Sequence, residues 1–230
     1  MHGNDGIDLR PAQRLIDRHL AHTEPYQVEI DSLQLLMLPG VFCPTYTKTS
    51  TFLAEHTQVE PGERVLDMFC GSGYQGLMAA RRGASVLCVD WSAEAVSCAT
   101  TNAERNGLAD RVVVRQGDLF APVSGQFDVI IANPPLLPIT PSSMFETAVY
   151  DSALAHSNRF LEEVRDYLAP GGRAYFLASS APKDQGLFDL GAEARNCGLE
   201  VRSVADRVLP YETYTVFKLQ LPVGARVARR

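Results

Sequence analysis

The sequence predicts an α/β fold built on a doubly wound sheet, and three observations carry that reading. Short runs of β-branched and apolar residues alternate with segments of helical periodicity through most of the chain. A glycine-rich turn, Gly71-Ser72-Gly73-Tyr74-Gln75-Gly76, joins the first strand of that series to its first helix. Sheets of this class bind nucleotide-like ligands at such a turn. A stiff loop, Asn133-Pro134-Pro135-Leu136, leaves the end of the strand run FDVIIA. The 230 residues, 46% of them apolar, suit one globular domain with a substantial core and a small N-terminal appendage.

The appendage covers residues 1–38. A helix is expected over 8–22, where Leu9, Ala12, Leu15, Ile16, His19 and Leu20 recur at helical spacing and Pro11 falls in a tolerant first turn. YQVEI and LQLLML then read as a hairpin about Asp31-Ser32. Pro39, Gly40 and Pro44 bar regular structure from the next stretch, and a helix is expected over 50–56. The hydroxyl-rich segment before it, including Thr45 and Thr47, is either an N-cap and linker or a lid over a ligand bound at the next motif.

That motif follows the strand 64–68 and leads into a helix over 77–82. Gly71 and Gly73 permit a tight turn and close backbone approach. Gly71-x-Gly73-x-x-Gly76 matches the dinucleotide fingerprint. Asp67 argues against a pyrophosphate there, because its negative field suits a cationic or amino-bearing ligand instead. A second strand, 85–89, closes at Asp90-Trp91 before a helix over 92–106. Asp90 is placed to accept from both hydroxyls of a ribose, and Trp91 to cover an adenine face. A third strand, 111–115, is followed by Asp118-Leu119, and Asp118 can accept from an adenine amino group. Each acid alone reads equally as a cap or a solvated loop residue. Three acids after three successive strands, with glycines at the first turn, describe a nucleoside site with a positive tail. S-adenosylmethionine fits that description and NAD fits it poorly.

The run FDVIIANPPL is a buried strand entering a loop that two prolines hold extended. Its backbone carbonyls have no partner in secondary structure and need a donor. Asn133 Oδ1 and the Pro134 carbonyl form a candidate clamp for the two protons of a planar –NH₂ group, aiming its lone pair at an electrophile. Pro135 and Leu136 complete the clamp. The alternative is a rigid turn that merely ends the strand.

The remaining elements are a helix over 151–168 stopped by Pro170-Gly171-Gly172, a strand over 173–179, a helix over 185–196, and strands over 199–209 and 213–221. Residues 223–230 form a basic tail with Arg226, Arg229 and Arg230, read as a solvated extension or as a basic contact arm. A net charge of −6 gives no general footprint for a phosphate backbone, although a local basic patch can hide inside an acidic total. Five scattered cysteines without C-x-x-C suggest reduced, cytoplasmic thiols, with no disulfide framework and no metal site. Apolar runs fall short of a membrane span, and residues 1–23 lack a signal-peptide core.

VLDMFCGSG (65–73), CVDWS (88–92), QGDLF (116–120) and FDVIIANPPLLP (127–138) resemble the motifs of class I S-adenosylmethionine-dependent methyltransferases. Within that class the chain looks like the HemK-like branch, the glutamine N5-methyltransferases, whose hallmark is N-P-P-[Y/L/F]. VFCPTYTKTSTFLAE resembles the segment that closes over the methionine moiety in that family. The resemblance implies a Rossmann-like, seven-stranded, mostly parallel sheet with an antiparallel last strand, and a catalytic domain over 39–222. It implies S-adenosyl-L-methionine as cofactor, held by Asp67, Gly71, Gly73, Asp90, Asp118 and Asn133, with Thr45, Thr47, Phe69, Trp91 and Leu119 around it. Leu136 stands where an aromatic most often stacks on the target plane, and 139–150 lacks the glycine-rich run of close relatives. The expected activity is N-methylation of a protein glutamine or of an amide or amino group on a small molecule. The alternatives are an rRNA or tRNA base N-methyltransferase and a non-catalytic S-adenosylmethionine-binding module. A dehydrogenase on the same fold ranks last.

Overall fold

A computed structural model describes residues 7–224 of the chain. Its first element, α1 (Arg10–Leu20), carries Pro11 in the first turn, where a missing N–H leaves no bond unmade. β1 (Tyr26–Ile30) and β2 (Leu33–Met37) pair antiparallel. Asp31 and Ser32 between them have φ of 48° and 61°, the left-handed pair a two-residue hairpin turn requires. The chain then runs through α2 (Thr49–His56), β3 (Arg64–Met68), α3 (Tyr74–Arg81), β4 (Ser85–Asp90) and α4 (Ala93–Arg105). β5 (Val112–Gln116), β6 (Phe127–Ala132), α5 (Ala155–Tyr167) and β7 (Leu168–Ser179) follow, and α6 (Ala181–Asp184), α7 (Leu190–Asn196), β8 (Glu200–Val208) and β9 (Thr213–Gln220) complete it.

Seven of these strands form one sheet in the order β5-β4-β3-β6-β7-β9-β8. Every neighbouring pair from β5 to β7 is parallel, and β9 runs antiparallel to both β7 and β8. Alternation along each strand divides the core into two layers. Val65, Val129, Ile131 and Tyr175 face α2, α3 and the hairpin, while Leu66, Ile130 and Phe176 face Phe160, Leu161 and Val164 of α5. The hairpin is fastened to the first layer by the fully buried Asn102 of α4. Its Oδ1 accepts from the Leu36 N–H at 2.7 Å, and its Nδ2 donates to the Leu36 and Ser72 carbonyls.

Strand order reverses direction between β3 and β6, which lie side by side with Met68 opposite Ala132. The glycine turn and the Asn-Pro-Pro loop therefore leave adjacent strand ends at the topological switch point, where open α/β sheets form their ligand crevice.

The structure departs from the expected elements in three places. The helix expected over 151–168 begins only at Ala155, because the Asp151 carboxylate accepts the His156 and Ser157 N–H groups, and Ala153 and Leu154 sit at φ of 51° and 52°. The strand expected at Arg173 already starts at Leu168, where Leu168 pairs with Phe127 before a register shift absorbs Pro170-Gly171-Gly172. The helix expected over 185–196 begins only at Leu190, and a separate short helix, α6, precedes residue 185. Gly186 (φ 67°) follows the end of α6, and Asp189 restarts helix as the N-cap of α7 by accepting from Gly191 and Ala192. Arg226, Arg229 and Arg230 of the basic tail lie outside the described residues.

Candidate active site

A cavity of about 1260 Å³ opens over the switch point. Pockets for one small ligand hold roughly 300–1,000 Å³, so this one has room for a cofactor and an acceptor together. One wall is the glycine turn. Phe69, Gly71 and Gly73 all have positive φ (61°, 52° and 81°), and so does Leu119 (48°) across the cavity. For Phe69 and Leu119 that conformation costs on the order of 1–3 kcal/mol each, strain of the kind that collects at ligand sites.

Asp90 ties this wall together. One carboxylate oxygen accepts from the Gly71 N–H at 2.9 Å and the other from the Ser92 N–H at 3.0 Å. Burial raises its pKa against the opposing pull of those backbone donors. Each oxygen keeps a lone pair for a donor from the cavity, which matches a pair of vicinal hydroxyls. Trp91 beside it lines the cavity and is 49% exposed. Asp118 also lines the cavity, partnered by Arg159 at 2.9 Å on a half-exposed surface.

Asp67 and Gly73, expected among the ligand's contacts, do not line the cavity. Gly73 shapes the turn. Asp67 lies beneath it, 1% exposed, with Oδ2 accepting from the Gly76 N–H at 2.8 Å and Oδ1 without a partner. Burial, with the Asp90 charge adding to it, pushes its pKa up to about 7. Asp67 holds the turn from beneath the cavity wall. An orphaned acceptor beneath the wall suits a cationic ligand and opposes a pyrophosphate.

Thr45 and Thr47 line the cavity from the loop before α2, where Thr45 Oγ1 meets Cys43 Sγ and Thr47 Oγ1 meets Thr49 Oγ1. Gln75 was not legible as a site residue. It is 6% exposed, lines the cavity, donates to the Ser50 carbonyl at 2.8 Å, and leaves Oε1 unpartnered. A buried acceptor of that kind calls for a donor from the ligand.

The Asn-Pro-Pro loop forms the facing wall. Asn133 is half-buried and Pro134 and Pro135 are buried, and all three line the cavity with Leu136. Among the described residues, the carbonyls of Asn133, Pro134 and Pro135 accept no backbone hydrogen bond. The flank is fixed from outside. The Leu136 and Leu137 N–H groups donate to the Val149 carbonyl, and the Asp151 N–H to the Leu137 carbonyl. That same Asp151 holds the His156 ring at Nδ1 (2.9 Å), which raises the imidazole pKa, and both residues line the cavity. The pair lies five residues apart in a segment read as continuous helix, so sequence alone did not single it out.

α1 closes the cavity from above with Pro11, Ala12 and Leu15. It is latched by His19, whose Nε2 accepts from the Cys43 N–H at 2.8 Å while Nδ1 meets the Leu15 carbonyl at 2.7 Å. Burial lowers the His19 pKa to about 4, so the latch is a neutral imidazole. Among the described residues, no cluster of histidine, cysteine and carboxylate side chains has the arrangement of a metal site, and no helix is long and apolar enough to cross a membrane.

Residues 32–197 match the family model of the methyltransferase small domain. The ribosomal RNA small subunit methyltransferase C of Alcanivorax borkumensis is 32% identical over 66% of this chain and 44% of its own length. A putative protein N5-glutamine methyltransferase of Methanocaldococcus jannaschii is 28% identical over 82% of this chain and 96% of its own. The chain spans less than half the length of several curated relatives it matches. In structure, it resembles a Thermus thermophilus 16S rRNA N2 G1207 methyltransferase solved with AdoMet and guanosine, with a TM-score of 0.65 and 22% identity over 86% of this chain and 50% of that one.

Proposed function

The chain belongs to the methyltransferase small domain family, whose cofactor is S-adenosylmethionine, and from that premise we propose that it methylates a planar nitrogen held at Asn133 and Pro134. One observation carries the proposal: at the switch point, the ligand-ready glycine turn and a loop of unpartnered carbonyls leave adjacent strands. Bound S-adenosylmethionine supplies a methyl group already activated on a sulfonium. The chain's own residues bind, orient and stabilise. Asp90 takes the ribose hydroxyls, Trp91 and Leu119 flank the adenine, and Asp118 accepts from its amino group. Phe69, Gly71, Thr45, Thr47 and Gln75 surround the amino-acid tail, and buried Asp67 supports the positive charge. Asn133 borders both ligands.

An amide or aromatic amine is a poor nucleophile because its lone pair is delocalised. Hydrogen bonds from both of its N–H groups to Asn133 Oδ1 and the Pro134 carbonyl return density to nitrogen and stabilise the positive charge that develops there. They also hold it in line for attack. Acceptors consistent with this clamp are a protein glutamine, as in the HemK-like branch, or an amide or amino group on a small molecule. A base nitrogen of RNA is the second reading, favoured by the similarity to a ribosomal RNA methyltransferase. We further propose the division into an accessory region (1–38) and a catalytic domain (39–222), and a reducing cytoplasmic setting, which suits five free cysteines.

Calorimetric titration with S-adenosylhomocysteine tests the premise. Asp90→Ala is expected to weaken binding by at least about 100-fold, since two hydrogen bonds to a charged group contribute about 1.5–3 kcal/mol each. Asn133→Ala is expected to lower transfer to a responsive acceptor by roughly 100-fold. Full turnover in that variant would remove the clamp from the mechanism.

A further inference from the structure

The clamp at Asn133 and Pro134 leaves one proton without a destination. An –NH₂ nitrogen that gains a methyl group becomes cationic and still carries both of its protons. Carbonyl oxygens accept hydrogen bonds from those protons but are too weakly basic to take one. Proton transfer near neutral pH calls for a group whose own pKa lies in that range. The cavity has one histidine among its described lining residues, His156. Of the carboxylates around it, Asp8 and Asp118 are occupied by Arg10 and Arg159, and Asp90 by the Gly71 and Ser92 N–H groups.

The His156 ring is half-exposed, and its Nδ1 lies 2.9 Å from an oxygen of Asp151, whose side chain is fully buried. Asp151 also accepts the backbone N–H groups of His156 and Ser157. A carboxylate among such donors only accepts, so Nδ1 carries the ring hydrogen and Nε2 is left as an acceptor. Nε2 makes no hydrogen bond among the described residues. The backbone bends to bring the two side chains together. Ala153 and Leu154 both have left-handed φ, 51° and 52°, which residues with a Cβ rarely adopt in succession. Strain of this kind collects where a fold fixes functional groups.

Two sets of bonds locate the ring. On one side, the Asp151 N–H donates to the Leu137 carbonyl at 2.9 Å, which ties Asp151 and His156 to the residue that follows the clamp. On the other, Arg159 stands one turn further along α5, on the same face as His156. Its guanidinium holds Asp118 at 2.9 Å. The ring therefore lies between the flank of the acceptor loop and the cofactor wall.

Resting on the N-methyl transfer reading above, we propose that His156 Nε2, oriented by Asp151, is the base that takes a proton from the acceptor nitrogen. The nitrogen lone pair forms the bond to the methyl carbon as the bond from that carbon to sulfur breaks, its electron pair going to sulfur. The nitrogen then gives one of its two protons to Nε2 and becomes neutral. The imidazolium faces the Asp151 carboxylate until water takes the proton. The hydrogen bond to Asp151 raises the imidazole pKa, with the Asp118 charge adding to the rise and burial and Arg159 opposing it.

The test uses the full chain, methyl-labelled S-adenosylmethionine, and as probes a glutamine-containing peptide, a mixed-sequence RNA and small primary amides. His156→Gln is expected to lower transfer by about 100-fold, the low end of what a general base contributes, while S-adenosylhomocysteine still binds. In the wild type the rate should fall on the acid side, because a protonated ring cannot accept. That limb should coincide with the His156 pKa titrated by NMR, and Asp151→Asn should move both to lower pH together. Imidazole added to His156→Ala should restore part of the rate. Turnover by His156→Gln within about threefold of wild type, or an acid limb unchanged in that variant, overturns this inference alone. Wild type that methylates none of the probes, or that does not bind S-adenosylhomocysteine, defeats the N-methyl transfer reading beneath it.

Discussion

Gly76 offers the sharpest test of how the cofactor wall is built. It is the third residue of α3, and its N–H donates to Asp67 Oδ2. A Cβ added there would lie 2.5 Å from Cys88 Sγ, 3.1 Å from Asp67 Oδ2 and 3.2 Å from Val86 Cγ1. The sulfur contact is more than an ångström too short for van der Waals approach, and Cys88 is fully buried on β4, between β3 and β5. Overpacking of this kind costs about 1–3 kcal/mol. The helix propensity gained by replacing glycine returns up to about 1 kcal/mol. Gly76→Ala should therefore destabilise the protein by about 1–2 kcal/mol, a drop in Tm of roughly 2–8 °C for a chain of this size. Cys88→Ala removes the obstructing sulfur. A double-mutant cycle followed by urea unfolding should give a coupling of about 1 kcal/mol or more, with the double variant less destabilised than the sum of the singles. Additive effects, or a Gly76→Ala protein as stable as wild type, would show that α3 does not pack on β4 at this distance.

Two other predictions concern buried polar groups. Asp67 has its folded pKa raised to about 7, chiefly by burial. A carboxyl shifted upward binds more protons folded than unfolded, so its contribution falls as pH rises from about 4 to 7 and is constant above that. The full penalty is roughly 4 kcal/mol. Asp67→Asn should gain stability relative to wild type progressively across that interval, and a difference independent of pH in chemical unfolding would refute the assignment. Asn102→Ala should cost about 2–4 kcal/mol by stranding the Leu36 N–H and the Leu36 and Ser72 carbonyls. Hydrogen exchange should show the hairpin opening first, and uniform loss of protection would argue against Asn102 as its anchor.

What the sequence disclosed was local. Gly71 and Gly73 need positive φ, Asn133-Pro134-Pro135 forbids helix, and Asp31-Ser32 turns a hairpin, and each of these follows from a few neighbouring residues. The strands of both core layers were legible because alternation of apolar residues survives any arrangement of the rest. What stayed hidden depends on distance along the chain. Asp67 carries the same letter whether it meets a ligand or lies under a turn, and only the placement of Gly76 over it decides. Gln75 reads as one more residue of the glycine turn until Ser50, 25 positions earlier, takes its amide. Asp151 delays the start of a helix by accepting the His156 and Ser157 N–H groups, and its carboxylate also holds the His156 ring at the cavity wall.

The two electrostatic features of the cavity bear on one another. Beneath the glycine turn Asp67 is buried, and the charge of half-buried Asp90 on the cavity wall adds to its upward shift. A positive ligand at that wall relieves this repulsion, while a negative one aggravates it. Arg14, Arg18, Lys48 and Arg207 line the same cavity without an ion pair among the described residues, so an anionic group meets less opposition beside them than at the Asp90 wall. A donor held with its cationic centre at the glycine turn presents its methyl group in one orientation, and orientation is most of what transfer from an activated donor requires of a protein.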